Sequence, residues 1–161
     1  MATKSNKTNV TILQRGGKKH HDVLESASLF FMRELMNAEL ACILNLRIEV
    51  RATKMQRGTV AISYLPVNSN EPCTDFTIIL HRDRRLIDQI QDLAHELVHV
   101  QQSVSGRLQY HRSNDSKLYA WWEGVDMGAV EDIPYFSRPW EVEARCLEVA
   151  LMNKLRQAVS S

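Results

Sequence analysis

Two histidines four residues apart, with a glutamate directly after the first, stand at His95-Glu96-Leu97-Val98-His99. On a helix, residues i and i+4 lie about 40° apart in projection, so both imidazoles can reach one cation. The glutamate between them is placed to take a proton from water at that cation. The chemistry this set predicts is metal-assisted hydrolysis of an amide bond, with His95 and His99 as ligands and Glu96 as general base. Zn2+ is the expected cofactor. Two imidazoles suit a hard cation such as magnesium poorly, and no sulfur or extra histidine accompanies them as copper would favour.

A zinc site of this kind needs a third protein ligand and leaves one position for water. The segment Arg138-Pro139-Trp140-Glu141-Val142-Glu143-Ala144 offers two candidates. Proline at the first helical position and the apolar spacing that follows predict a helix over residues 139–157, with Glu141 and Glu143 in its first turn. Acids there gain about 0.3–1 kcal/mol from the helix dipole whatever else they do, so position alone does not choose. About 200° separates the two on the wheel, so they cannot both face one metal. Glu141 lies about 60° from the Ala144 direction, at the edge of the apolar face, and Glu143 about 100° away on the other side, a modest preference for Glu141.

These side chains need elements to hold them. Asp83 can cap a long helix whose buried stripe runs through Leu86, Ile90, Leu93, Leu97, Val100 and Val104, widened by Ile87, Ala94 and Val98. The two histidines fall outside that arc, on a face shared with Asp88, Asp92 and Gln102, and Gly106 supplies the stop. Earlier in the chain, residues 23–45 read as one helix with a broad apolar face. Strand-like runs follow at 46–51, 59–65 and 75–81, joined by turn-rich segments. Residues 107–110 and 117–123 read as a hairpin around Ser113-Asn114-Asp115, in which Trp121 and Trp122 take opposite faces, one to pack and one to wall the cleft. Residues 124–137 read as a loop. Tyr135 within it is the candidate hydrogen-bond donor to the oxyanion, with Tyr110 and His111 as further candidates.

Beyond the residues themselves, the chain resembles the gluzincin branch of zinc metallopeptidases, where a Glu-x-x-Ala pattern on a later helix supplies the third ligand; Glu141-Val142-Glu143-Ala144 fits it with Glu141 as ligand. Together with residues 95–101, 135–144 and Trp122-Glu123-Gly124, all in the C-terminal half, it is similar to small phage-type metallopeptidases. The resemblance implies an α+β, zincin-like single domain: an N-terminal helix, a small sheet, the histidine helix, a short hairpin and the glutamate-bearing helix. It further implies a peptide or protein substrate, and a last strand, Thr77-Ile78-Ile79-Leu80, bordering the cleft with a free edge that could pair with an extended peptide. One departure is Arg145. Many gluzincins carry an aspartate four residues after the ligand glutamate to orient a histidine; here Asp88 or Asp92 could serve instead, although a solvated helix face accounts for both acids and is the favoured reading.

Composition frames the site. The 161 residues are 44% hydrophobic and 24% charged, with a formal charge of +1, which suits one domain with a sizeable core. The expected division is a flexible basic arm over residues 1–21 and the catalytic domain over 22–161. The arm holds Lys4, Lys7, Arg15, Lys18 and Lys19 and no acid, so nucleic acid is a conceivable partner, though the near-zero net charge does not favour it. No apolar run has the length of a membrane span, and the start lacks a secretory block, so no membrane partner and a cytoplasmic location, in the producing cell or an infected host cell, are expected. Cys42, Cys73 and Cys146 form neither a disulfide framework nor a zinc cluster, and Cys42 and Cys146 read as packing residues. Two other function classes fit the same residues: a DNA-associated protease of crosslinked proteins, and a non-catalytic zinc-stabilised binding protein.

Overall fold

Alternation of Leu46, Ile48 and Val50 with polar neighbours makes Asn45–Arg51 a strand with one buried face, and Phe76, Ile78 and Leu80 do the same for Asp75–His81. The computed structural model describes residues 9–14, 18–52, 74–114 and 116–161. In it these strands, β2 and β3, pair in parallel, with Leu46 opposite Phe76, Ile48 opposite Ile78 and Val50 opposite Leu80. A further strand, β1 (Asn9–Gln14), lies parallel to β2 on its other side, giving the order β1-β2-β3. Part of the segment read as a flexible arm is thus an ordered strand, and Lys18 already begins a helix. Val10 and Ile12 pack on the core, and apolar burial of this kind outweighs the basic composition around them. The strand read at 59–65, the turns beside it and Cys73 lie outside the described residues.

Helix α1 (Lys18–Leu35) packs Leu24, Ala27, Phe31 and Met32 into the core. The single helix expected over 23–45 is two, because Asn37 caps a new one, α2 (Ala38–Ile43): its side-chain oxygen accepts from the Leu40 amide at 2.9 Å. The histidine helix, α3 (Leu86–Val104), starts three residues later than Asp83. Asp83 sits in the preceding turn, its amide donating to His81 Nδ1, and does not cap the helix. Ile90, Leu93, Ala94, Leu97, Val98, Val100 and Val104 are buried as the stripe predicts, whereas Ile87 faces solvent. Gly106, with φ +73°, takes the left-handed conformation that ends the helix.

A second sheet follows, antiparallel, in the order β4 (Leu108–Arg112), β5 (Leu118–Trp122), β6 (Val125–Ala129). The first hairpin is the expected one. The third strand is not: residues 124–137, read as a loop, contain β6 and two 3-10 turns, Val130–Asp132 and Tyr135–Ser137. Trp122 pairs with Val125 across Glu123 and Gly124, both with positive φ, the two-residue turn whose twist matches a hairpin. The last helix, α4 (Pro139–Ser160), has proline in its first turn and lays Ala144, Leu151 and Met152 on the main core. The chain is therefore an α+β domain, and none of its described helices is long and apolar enough to cross a membrane.

The second sheet's packing bears most on the site. Trp140 is fully buried, meeting Tyr110 edge-on at 6.3 Å and Trp122 at 6.3 Å, with Leu108 and Ala120 around it. Arg138 ties the preceding turns down by donating to the Ile133 and Val130 carbonyls at 3.1 and 2.9 Å. The start of α4 is thereby pinned, and Glu141, one residue after Trp140, is carried to α3.

Candidate metal centre

One turn of α3 puts His95 and His99 side by side, their rings edge-to-face with centroids 4.8 Å apart. From α4, Glu141 completes the group. His95 Nε2 lies 3.2 Å from His99 Nε2, and Glu141 Oε2 lies 3.4 and 3.5 Å from those same nitrogens. Donor atoms held about 2.0–2.1 Å from a tetrahedral zinc stand about 3.3 Å from one another, so these edges fit one face of such a polyhedron. Glu141 Oε2 is buried without a hydrogen-bond partner, which an acceptor aimed at a cation explains. His95, His99 and Glu141 also form the one candidate metal-binding group of His, Cys, Asp and Glu among the described residues.

What fixes the histidines is as informative as what they face. The ring nitrogen of His95 on the far side, Nδ1, lies 3.1 Å from Glu148 Oε2, and that of His99 lies 2.8 Å from Gln102 Oε1. Both partners can only accept, so each Nδ1 carries the proton and each Nε2 is left to the shared point. Gln102 is itself fully buried and locked, its amide donating to the Trp140 carbonyl at 3.0 Å and to Glu143 Oε2 at 2.9 Å. Glu143 in turn pairs with Arg107 at 2.8 Å. The two acids of the α4 first turn are thus separated in space, Glu141 at the histidines and Glu143 in the scaffold behind His99.

Glu148 was not anticipated. Asp88 and Asp92 were the candidates for orienting a histidine, but Asp88 is taken by Arg85 at 2.8 Å and Asp92 by Arg84 at 2.7 Å. Glu148 lies seven residues after Glu141, two turns on and within about 20° of the same face, a spacing legible in the sequence. Arg145 occupies the position one turn earlier, between the two acids.

Charge follows this geometry. Burial opposes a charged His95, yet the Glu141 and Glu148 carboxylates outweigh it and hold its pKa up at about 10 when no metal is bound. Burial would likewise raise Glu141, but His95, His99 and Tyr135 outweigh it and keep its carboxyl well below the usual range. Glu96 is buried, and that burial pushes its carboxyl well above the ordinary value. It lines a cleft of about 140 Å³ together with His95, Asp92, Tyr135, Arg145 and Glu148.

The structure brings Tyr135 to the lining of this cleft, while Tyr110, though near enough to feel the Glu141 and Glu96 carboxylates, and His111 are not among its lining residues. Burial first, then the Glu141 carboxylate, pushes the Tyr135 phenol up to about 12, so its hydroxyl keeps its proton at neutral pH. Tyr110 packs on Trp140, His111 stacks on Tyr119 at 5.3 Å, and neither lines the cleft. Trp122 packs beneath Arg107 and beside Trp140, while Trp121 is exposed; neither walls the cleft. Cys42 is half-buried, and Cys146, expected in the core, is exposed. No protein-family model, curated protein or solved structure matches the chain.

Proposed function

We propose that the protein is a zinc-dependent peptidase of zincin-like, gluzincin-type architecture, in which His95, His99 and Glu141 hold the metal. The observation that carries this reading is the convergence of three donor atoms at 3.2 to 3.5 Å, one of them a buried carboxylate oxygen with no hydrogen-bond partner. When bound, zinc would supply Lewis acidity toward water and the substrate carbonyl. The chain's own groups do the rest. Glu96, next to the ligands and on the cleft wall, takes a proton from the attacking water and returns it to the leaving amine. Tyr135, a neutral phenol on the same wall, donates its O–H to the oxygen on which negative charge develops. Glu148 and Gln102 keep the imidazoles in the ligating tautomer.

The test separates metal from chemistry. Zinc content of purified protein lacking a histidine tag should be stoichiometric in the wild type and lost in His95→Ala and His99→Ala. Glu96→Gln should retain the metal and abolish hydrolysis of a peptide library, since the amide matches the shape but cannot take the proton. Full zinc occupancy in either histidine variant would sink the site. Zinc binding without turnover of any peptide by the wild type would favour a metal that only staples α3 to α4.

A further inference from the structure

Arg145 stands one helical turn after Glu141 on α4 and lines the same cleft as His95 and Glu96. Its guanidinium carbon lies over aromatic rings, 4.5 Å from the Phe136 centroid and 5.2 Å from that of Tyr135. The two rings stand edge-to-face at 84° to each other, so they border the guanidinium on two sides, and the group also hydrogen-bonds with the Tyr135 hydroxyl. Among the described residues no carboxylate comes within ion-pairing distance of it. Two of the acids that share the cleft have other hydrogen-bonding partners: Glu148, which also feels the Arg145 charge, pairs with His95 and Gln91, and Asp92 with Arg84. Arg145 is the one arginine or lysine among the residues lining a wall that also carries His95, Asp92, Glu96 and Glu148.

A cation set against two rings, exposed and with no carboxylate in ion-pairing distance beside the proposed reaction centre, is a receptor for an anion that arrives with the substrate. In a peptide the compact, planar anion that fits a guanidinium fork is a carboxylate, and the cleft of about 140 Å³ suits a small group better than a bulky side chain. We propose that Arg145 binds a substrate carboxylate adjacent to the bond to be cut, so that the protein selects peptides carrying a negative charge at that point. The proposal rests on the peptidase reading above and names its substrate class. The carboxylate has two sources, an acidic side chain or the free C-terminus, and Arg145 would take either.

Three short peptide hydroxamates, which anchor to zinc through the hydroxamate, test it by calorimetry on the zinc-loaded full chain. One ends in a free carboxylate, one has an amidated end and a glutamate, and the third has an amidated end and a glutamine. At least one carboxylate probe should bind the wild type about tenfold to a hundredfold tighter than the neutral one, the range of a charge-assisted hydrogen bond. That preference should vanish in Arg145→Gln and return in part in Arg145→Lys. Which probe gains identifies the source of the carboxylate. Equal affinity of all three for the wild type, or an undiminished preference in Arg145→Gln, overturns the assignment of Arg145 while leaving the metal site standing. Failure of every probe, together with absence of zinc from the wild type, overturns the peptidase reading and this inference with it.

Discussion

At the scale of single residues, two glutamates in one helical turn have been given different work by their surroundings. Glu141 points its unpartnered oxygen at two imidazoles, whereas Glu143 is saturated by Arg107 and Gln102. Glu141→Ala is therefore expected to lower zinc affinity by orders of magnitude, and Glu143→Ala to leave it within about tenfold. A zinc titration with a competing chelator measures both, and the reverse ordering would assign the ligand to the wrong acid. Glu148 makes a separate case. It touches His95 only through Nδ1, so Glu148→Gln should keep the site assembled and weaken zinc binding by about 10- to 100-fold, the usual cost of losing an orienting carboxylate. An affinity unchanged in that variant would mean that the His95 tautomer is fixed by something else.

At the scale of elements, the site depends on how α4 is docked. The second sheet and the turns after it exist, in packing terms, to seat Trp140. Trp140→Ala should destabilise the fold by about 3–5 kcal/mol, the range for deleting a large buried aromatic. It should also impair zinc retention under conditions where the variant is still folded, because Glu141 loses its anchor. Chemical denaturation and metal analysis of the same samples check the two effects, and a variant equally unstable but with undiminished zinc affinity would count against the coupling. The β5–β6 turn contributes a smaller term. Gly124 has φ +82° with open space around it, so Gly124→Ala is strained through its backbone alone, and a loss of about 1 kcal/mol is expected. A denaturation midpoint identical to that of the wild type would show that the turn relaxes at no cost.

At the scale of the whole molecule, the proposed metal and a proton would compete for one place. In the metal-free chain His95 is held at about 10, above its unfolded value of about 6.5. That interaction contributes stability fully present below pH about 6.5 and lost progressively as the pH rises through 10. Glu141 acts in the opposite sense. Its depressed carboxyl contributes stability fully present above the unfolded value of about 4.5 and lost progressively as the pH falls from there toward its much lower folded value. The metal-free protein should therefore be most stable in mildly acidic solution, between about pH 5 and 6.5. Zinc at neutral pH must displace the His95 proton, so binding should release about one proton and shift the stability maximum upward. Calorimetry in buffers of different ionisation enthalpy reads the proton count directly, and a count near zero would show that His95 is already neutral in the free chain.

Much of this was legible in the sequence because it is local. The i, i+4 spacing of His95 and His99, the apolar stripe that makes their segment a helix, the alternation in β2 and β3, and the proline that opens α4 are short-range patterns, set by the turn of a helix or the pleat of a strand. The separation of Glu141 from Glu143 by over half a turn follows from the same geometry. Other features depend on residues distant in the chain. Asn9–Gln14 becomes a strand only because β2 lies beside it, and β6 only because the Trp-rich β5 offers a partner. Glu148 and Gln102 acquire their tasks from the crossing of α3 and α4, which sets His95 against one and Trp140 above the other. The sequence by itself determined which side chains could ligate a metal, since that is a matter of residue type and helical period. Only the tertiary structure decided which acid meets the histidines and which tautomer they hold, because a hydrogen bond or a ligand contact exists only where two faces approach within a few ångströms.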